Sequence, residues 1–173
     1  MSGYLLFVDG RPVIIKQNRV GLHGKPFSMY KYRTMKNDSH AERDALGQLN
    51  THSGPLFKID DDPRLLKGAK KLRRWSLDEL PQFINVLKGD MSVVGPRPLF
   101  VEDSENFNRE YLRRLNVLPG ITGLLQINER NTDDFDIWFK YDLQYLENWS
   151  IWLDIEIILK TPFSLFKKDI QGK

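Results

Sequence analysis

Glycine and proline cut most of this chain into short pieces. They fall at positions 10, 12, 21, 24 and 26, at 54 and 55, at 95, 96 and 98, and at 119, 120 and 123. Proline lacks an amide donor, and glycine weakens the interior of helix and strand alike, so each element between these breaks is brief. After Gly123 the next glycine is Gly172, which leaves room for longer helices.

The pieces can be read in turn. Residues 4–20 alternate and are partly β-branched ("PVIIKQNRVG"), which predicts short strands broken at Gly10–Pro12 and Gly21. "GLHGKPFSMYKYRTM" reads as a turn followed by a strand, and "MSVVGPRPL" as a short strand stopped by Gly95-Pro96-Arg97-Pro98. Residues 36–55 are expected to form a polar surface loop with a helical patch near Ala41–Leu49. A basic helix is expected over 65–74, and a second from Ser76–Asp78 to Leu87. Residues 102–116 suit a charged helix, and "PGITG" leads into an expected strand "LLQIN". Residues 134–149 and 151–168 suit one or two helices. The sum is an α+β fold: a single compact domain with short β-strands and several amphipathic helices.

Composition narrows the function classes. The 173 residues suffice for one domain with a core, and the net charge of +3 permits an anionic partner without identifying one. The absence of cysteine excludes disulfides and thiolate metal sites. Three histidines (His23, His40 and His52) make a His-rich metal site or a His-dependent triad a poor fit. No apolar run approaches the ~20 residues that span a bilayer, which points to a soluble or membrane-peripheral chain. "DDDPR" at 60–64 is turn chemistry; three aspartates could bind a metal, but an Asx-type turn before Pro63 reads at least as well.

The chemistry concentrates in "KLRRWSLDELPQF". Ser76-Leu-Asp-Glu79 fits a capping box, with Pro81 in conflict if Ser76 is the N-cap and in the first turn if Asp78 is. In either register the acids lie at a helix start, where free amides and the dipole favour negative charge. An ionised aspartate can also attack phosphorus. Neighbouring helical residues point about 100° apart, so Asp78 and Glu79 cannot share one role. Two prolines stiffen the backbone around Arg97, which suits a fork for phosphate oxygens. Lys31 and Arg33 share one face of the expected strand, and Arg73 and Arg74 add further cations. Taken singly, each cation reads as a surface salt bridge; together with rigid Gly/Pro elements they read as a phosphate site.

The stretches "QNRVGLHGKPFSMYKYRTM", "LRRWSLDELPQFINVLKGDMSVVGPRPL", "PGITGLLQIN" and "YDLQYLENWSIWLDIEIILKT" resemble the bacterial sugar transferases. These are the small monotopic polyprenyl-phosphate hexose-1-phosphate transferases. The stretches occur in family order over most of residues 10–161. The resemblance implies a monotopic phosphoglycosyl transferase-like fold and a catalytic domain over 1–173. It implies transfer of a sugar-1-phosphate from a UDP-sugar to undecaprenyl or another polyprenyl phosphate, with UMP leaving. The product begins an exopolysaccharide, O-antigen or related glycan. The family pattern puts the nucleophile on Asp78, which forms a covalent phosphosugar, and an assisting role on Glu79. Both acids are implied ligands of Mg²⁺. Arg73 and Arg97 match phosphate-binding positions, and Lys31, Arg33, Asp154 and Gln126 complete the implied substrate-binding set.

Three features depart from the family pattern. The hydrophobic N-terminal segment that enters the membrane has at most a remnant in "SGYLLFV", "NERN" carries Glu129 where glycine is usual, and "LLKGAKK" replaces an apolar run. An acid at 129 is expected to disfavour phosphate and to disturb a glycine-dependent turn. In "WSIWLDIEIILKTPFSLF", Trp149, Trp152, Ile155, Ile158 and Leu159 recur at helical spacing. That suits a core helix or, with Lys160, Lys167 and Lys168, an interfacial one. The implied lipid substrate favours the interface and a peripheral place on the cytoplasmic face of the inner membrane. Two rivals are kept. One is a non-catalytic relative that binds nucleotide-sugar or regulates a complete transferase. The other is a nucleic-acid module built on "FSMYKYR", which small net charge and the lack of a known motif disfavour. GxxxxGK[ST], HExxH and GxGxxG patterns do not occur.

Overall fold

Alternation in the N-terminal third becomes a hairpin. β1 (Ile14–Val20) pairs antiparallel with β2 (Pro26–Tyr32), from Ile14 opposite Tyr32 to Val20 opposite Pro26. The computed structural model describes residues 11–36, 59, 62–104, 107–130, 132 and 134–166. The "SGYLLFV" stretch, the polar loop beyond residue 36, Asp60, Asp61, Lys167 and Lys168 therefore lie outside the described residues. Within "DDDPR", Asp62 accepts from the Arg64 backbone amide (2.9 Å) and from its guanidinium, which is an Asx-type turn.

The chain then runs through α1 (Ala69–Arg74), a 3₁₀ turn (Leu77–Glu79) and α2 (Gln82–Lys88). The capping box does not form. Ser76 is in the left-handed region (φ 52°), its side chain caps nothing, and Pro81 is the N-cap of α2. Proline resolves the register conflict by ending the 3₁₀ turn and starting a separate helix, where its missing amide costs nothing.

β3 (Ser92–Val94) and β4 (Gly120–Thr122) form a parallel pair, with Ser92 opposite Gly120 and Val94 opposite Thr122. Glycine makes this crossing possible. A Cβ on Gly120 would fall 2.1 Å from the Gly95 nitrogen, and one on Gly95 would fall 2.4 Å from the Leu118 carbonyl oxygen. The two Gly/Pro motifs are thus the two halves of one close backbone contact.

Between those strands, the expected helix over 102–116 is only α3 (Val101–Ser104) and a 3₁₀ segment (Tyr111–Asn116). "LLQIN" is also corrected: it is the short helix α4 (Leu124–Asn128), not a strand. The packing gives the reason. Leu125 joins a cluster with Leu99, Phe135 and Trp138, whereas Ile127 joins another with Val94, Tyr145 and Ile157. Residues two apart in a strand share a face; in a helix they diverge by about 200°, which lets this stretch feed two clusters.

The last two elements are α5 (Phe135–Asn148) and α6 (Ile151–Ser164), each capped: Asp134 accepts from Asp136 N and Ser150 Oγ from Leu153 N. α5 buries Phe135, Trp138, Asp142 and Tyr145 along one helical face, spanning both clusters. α6 buries Ile157 and Ser164 but leaves Trp152 76% and Leu159 64% exposed, so its apolar stripe is not a core face. α2 does likewise with Phe83, Ile84 and Leu87, and a Trp75–Phe166 ring contact at 5.3 Å links the α1 and α6 ends. Among the described residues no helix is long and apolar enough to cross a membrane. The result is the expected single α+β domain with two small sheets.

Candidate functional site

The acid pair on the 3₁₀ turn is built into the fold, because β2 packs against that turn and α2 is pinned to the same strand. Asn85, fully buried on α2, accepts from Tyr30 N (2.9 Å) and donates to Ser28 O (2.8 Å). These two bonds set Lys31 beside Asp78: its Nζ lies 2.7 Å from Asp78 Oδ2. Arg97 leaves β3 through its proline-flanked turn and donates from Nη2 to Glu79 Oε1 (2.7 Å). Adjacent acids therefore face different cations, as side chains about 120° apart on a 3₁₀ turn can.

Further cations converge. Arg73 at the end of α1 and Arg130 just beyond α4 are both close enough for the charges of Asp78 and Glu79 to act on them. Arg130 Nη2 also donates to the Arg73 carbonyl (3.3 Å). Arg130 was not anticipated; its signal lay in "NERN", where Glu129 drew the reading instead. Glu129 itself accepts from Tyr141 Oη (3.0 Å) and has φ −139°, a conformation open to any residue. Position 129 therefore needs no glycine.

The Arg97 backbone has its own anchor. Arg114, buried, donates from Nη2 to the Arg97 carbonyl (2.8 Å) and from Nε to Asp142 Oδ2 (2.8 Å). Burial pushes the Asp142 carboxyl up, and Arg114 pulls the other way. With prolines on both sides and this tether behind, the guanidinium is aimed in advance.

Electrostatics follow from crowding. Burial lowers the Lys31 ammonium, and the pull of Asp78 does not fully offset it. Burial also lowers Arg73 and Arg130. Burial would raise Glu79, but the charges of Arg97 and Lys31, the Arg97 hydrogen bond and Arg130 hold it down at about 2. A depressed acid stabilises the fold fully above its ordinary 4.5 and less and less as pH falls toward about 2. Denaturant melts should therefore show wild type losing more stability than Glu79→Gln across that acid window. Parallel curves would remove Glu79 as the source.

A cavity opens beside the pair. Glu79, Arg97 and Arg130 line its charged side; Leu80, Phe83, Ile121 and Leu165 give apolar walls; Ser76, Thr122, Gln126, Thr161 and Ser164 are its neutral polar lining. Asp78 is only 2% exposed, pairs with Lys31 and does not itself line the cavity. Arg33 lies one residue past β2, buried, and does not line the cavity. Asp154 stands apart at the α5–α6 corner, where Tyr145 Oη (2.9 Å) and Trp149 Nε1 (3.3 Å) donate to it. Among the described residues no three or more His, Asp or Glu side chains gather as a metal cage.

Such a site can bind phosphate oxygens, hold Glu79 ionised and admit a ligand that is part apolar. Comparison with known proteins agrees. The family described as "Bacterial sugar transferase" matches residues 3–168. The chain is 52% identical over 154 residues to Galactosyl transferase CpsE of Streptococcus agalactiae serotype III (strain NEM316), covering 88% of this chain and 34% of that protein. It is 40% identical over 174 residues to the Undecaprenyl-phosphate galactose phosphotransferase of Salmonella typhimurium (96% and 36%). It is 44% identical over 163 residues to the UDP-glucose:undecaprenyl-phosphate glucose-1-phosphate transferase of Escherichia coli K12 (90% and 33%). The chain spans about a third of the length of each of these relatives.

Proposed function

Since the chain belongs to the bacterial sugar transferase family, we propose that it moves a sugar-1-phosphate from a UDP-sugar to a polyprenyl phosphate. Two of the relatives above are named for transfer involving undecaprenyl phosphate, and one of them names a UDP-sugar donor. The observation that carries the reading is the arrangement of the acid pair. Two adjacent buried carboxylates face two different cations, with Arg73 and Arg130 converging beside an open cavity.

The proposed chemistry runs in two steps. A carboxylate oxygen of Asp78 attacks the β-phosphorus of the donor, the bond to UMP breaks, and an acyl phosphate carrying the sugar forms. An oxygen of polyprenyl phosphate then attacks the same phosphorus and the Asp78 carboxylate is regenerated. Asp78 is covered by Lys31 at rest, so attack requires the ammonium to move from the carboxylate to phosphate oxygens. Arg97 and Arg130 take up charge on the transferred group. Glu79, held ionised, fixes the Arg97 fork.

Asp78 and Glu79 suit Mg²⁺ of the sparsely held kind, in which one or two carboxylates are completed by substrate phosphates and water. When bound, the ion would neutralise phosphate charge. The exposed apolar faces of α2 and α6 give the protein a surface for the headgroup layer, beside the cavity's apolar walls. These faces support a reading in which the lipid acceptor and a peripheral membrane position lie on one side of the molecule.

The test is UMP release in detergent with polyprenyl phosphate, across a panel of UDP-sugars. At least one sugar should give release that depends on both substrates. No release with any would sink the transfer reading. A non-catalytic nucleotide-sugar binder draws support from the covered Asp78 and predicts binding without release.

A further inference from the structure

The neutral polar wall of the cavity has a proton inventory that can be worked out. Each hydroxyl has one proton to donate. Thr161 Oγ1 donates to Ile157 O (2.7 Å). Thr122 Oγ1 lies 2.7 Å from Thr161 Oγ1, and because the Thr161 proton is already engaged, Thr122 is the donor of that pair. Ser164 Oγ donates to Thr161 O (2.8 Å). These three hydroxyl protons thus point into the protein, and Thr122 and Ser164 retain accepting lone pairs; Ser76, the fourth hydroxyl of the lining, caps nothing. Gln126 is the complement: it lines the same cavity, is 8% exposed, and its Nε2 donor has no hydrogen-bond partner. A buried donor left unmade is costly, and a ligand acceptor there removes the cost.

The wall therefore offers the Gln126 amide nitrogen beside hydroxyl acceptors, with no charge. A ligand hydroxyl is the simplest complement, because it accepts and donates at one atom. Charge lies elsewhere in the cavity, at Arg97 and Arg130. In a nucleotide-sugar, the sugar hangs directly on the phosphate that is transferred, whereas the base is separated from it by a ribose and a second phosphate. A wall sharing a small cavity with the phosphate-binding arginines is thus within reach of the sugar ring first.

Resting on the transferase reading above, we infer that Gln126, Thr122 and Ser164 form the subsite that recognises hydroxyl groups of the transferred sugar. Gln126 donates to a ring hydroxyl oxygen, and that hydroxyl donates onward to Thr122 or Ser164. The subsite is a determinant of sugar choice, separate from the residues that hold phosphate.

The test uses the full chain in detergent with polyprenyl phosphate and the UDP-sugar it accepts best. On wild type, a series of singly deoxygenated UDP-sugars should show one ring position where loss of the hydroxyl lowers kcat/KM about ten-fold. Gln126→Met should lower kcat/KM for the parent sugar about ten-fold, no longer distinguish that deoxy sugar from its parent, and leave inhibition by UMP within two-fold. If wild type is indifferent to deoxygenation at every position, the inference falls, whether or not the variant folds. If UMP inhibition weakens in step with turnover in Gln126→Met, the wall reads the nucleotide and the inference also falls. Should wild type release UMP from no UDP-sugar, the transferase reading fails and takes this inference with it; release with either earlier outcome sinks the subsite alone.

Discussion

Asp78→Asn is expected to lower UMP release by at least about 10³-fold, the scale on which loss of a nucleophile is felt. The amide keeps the shape of the side chain, so the 3₁₀ turn is retained, but a neutral amide oxygen does not form a phosphorus bond of useful lifetime. The substitution also removes the charge that Lys31 faces at 2.7 Å. Lys31 is lowered by burial, but the charge of Glu79 still acts on it in the variant, so the ammonium is not left without any opposing charge. Stability should therefore survive while chemistry does not. Direct evidence comes from wild type incubated with a UDP-sugar labelled in the sugar, without lipid acceptor. A protein-bound label released by hydroxylamine is expected at Asp78, and none in the variant. Comparable UMP release by both proteins would reject the covalent step while leaving the family assignment untouched.

Arg97→Lys is expected to cost about 10²- to 10³-fold in kcat/KM, the range for losing one preorganised donor to a developing anion. Lysine preserves the charge but not the planar fork. That fork is directed by three things: the flanking prolines, the Arg114 bond to the Arg97 carbonyl, and Glu79 at 2.7 Å. A third of the Arg97 side chain remains exposed to the cavity, where phosphate oxygens can reach it. A purely structural role predicts another pattern. Activity would then track stability, and Arg97→Lys, which still pairs Glu79, would retain both. Retention of turnover within about three-fold, with the melting temperature unchanged, would remove Arg97 from the phosphate site.

Much of this site was legible in one dimension because its parts are local. Proline on both sides of Arg97 marks a stiff backbone, and an acid pair ahead of Pro81 marks a helix start. Gly95 and Gly120 read only as turn residues; their close approach came from the fold. Misreadings arose where packing, not periodicity, decided. "LLQIN" has good strand residues, yet Leu125 and Ile127 must reach two different clusters, and only a helix turn sends them apart. Ser76 has capping chemistry, yet its left-handed backbone turns the side chain away from that use. The apolar spacing on α6 reads alike for core and surface; Trp152 at 76% exposure shows which it is here.

Sequence alone determined that the chain would be an α+β domain of short elements, and it singled out Asp78, Glu79 and Arg97 as candidates, because propensity, turn chemistry and motif order are written residue by residue. The tertiary structure alone decided that Lys31 takes Asp78 and Arg97 takes Glu79, that Arg130 joins them, and that Gln126 faces a cavity with its donor unmade. Those partners come from separate elements, and Coulomb energy and hydrogen bonding depend on distance in space, which chain spacing does not encode.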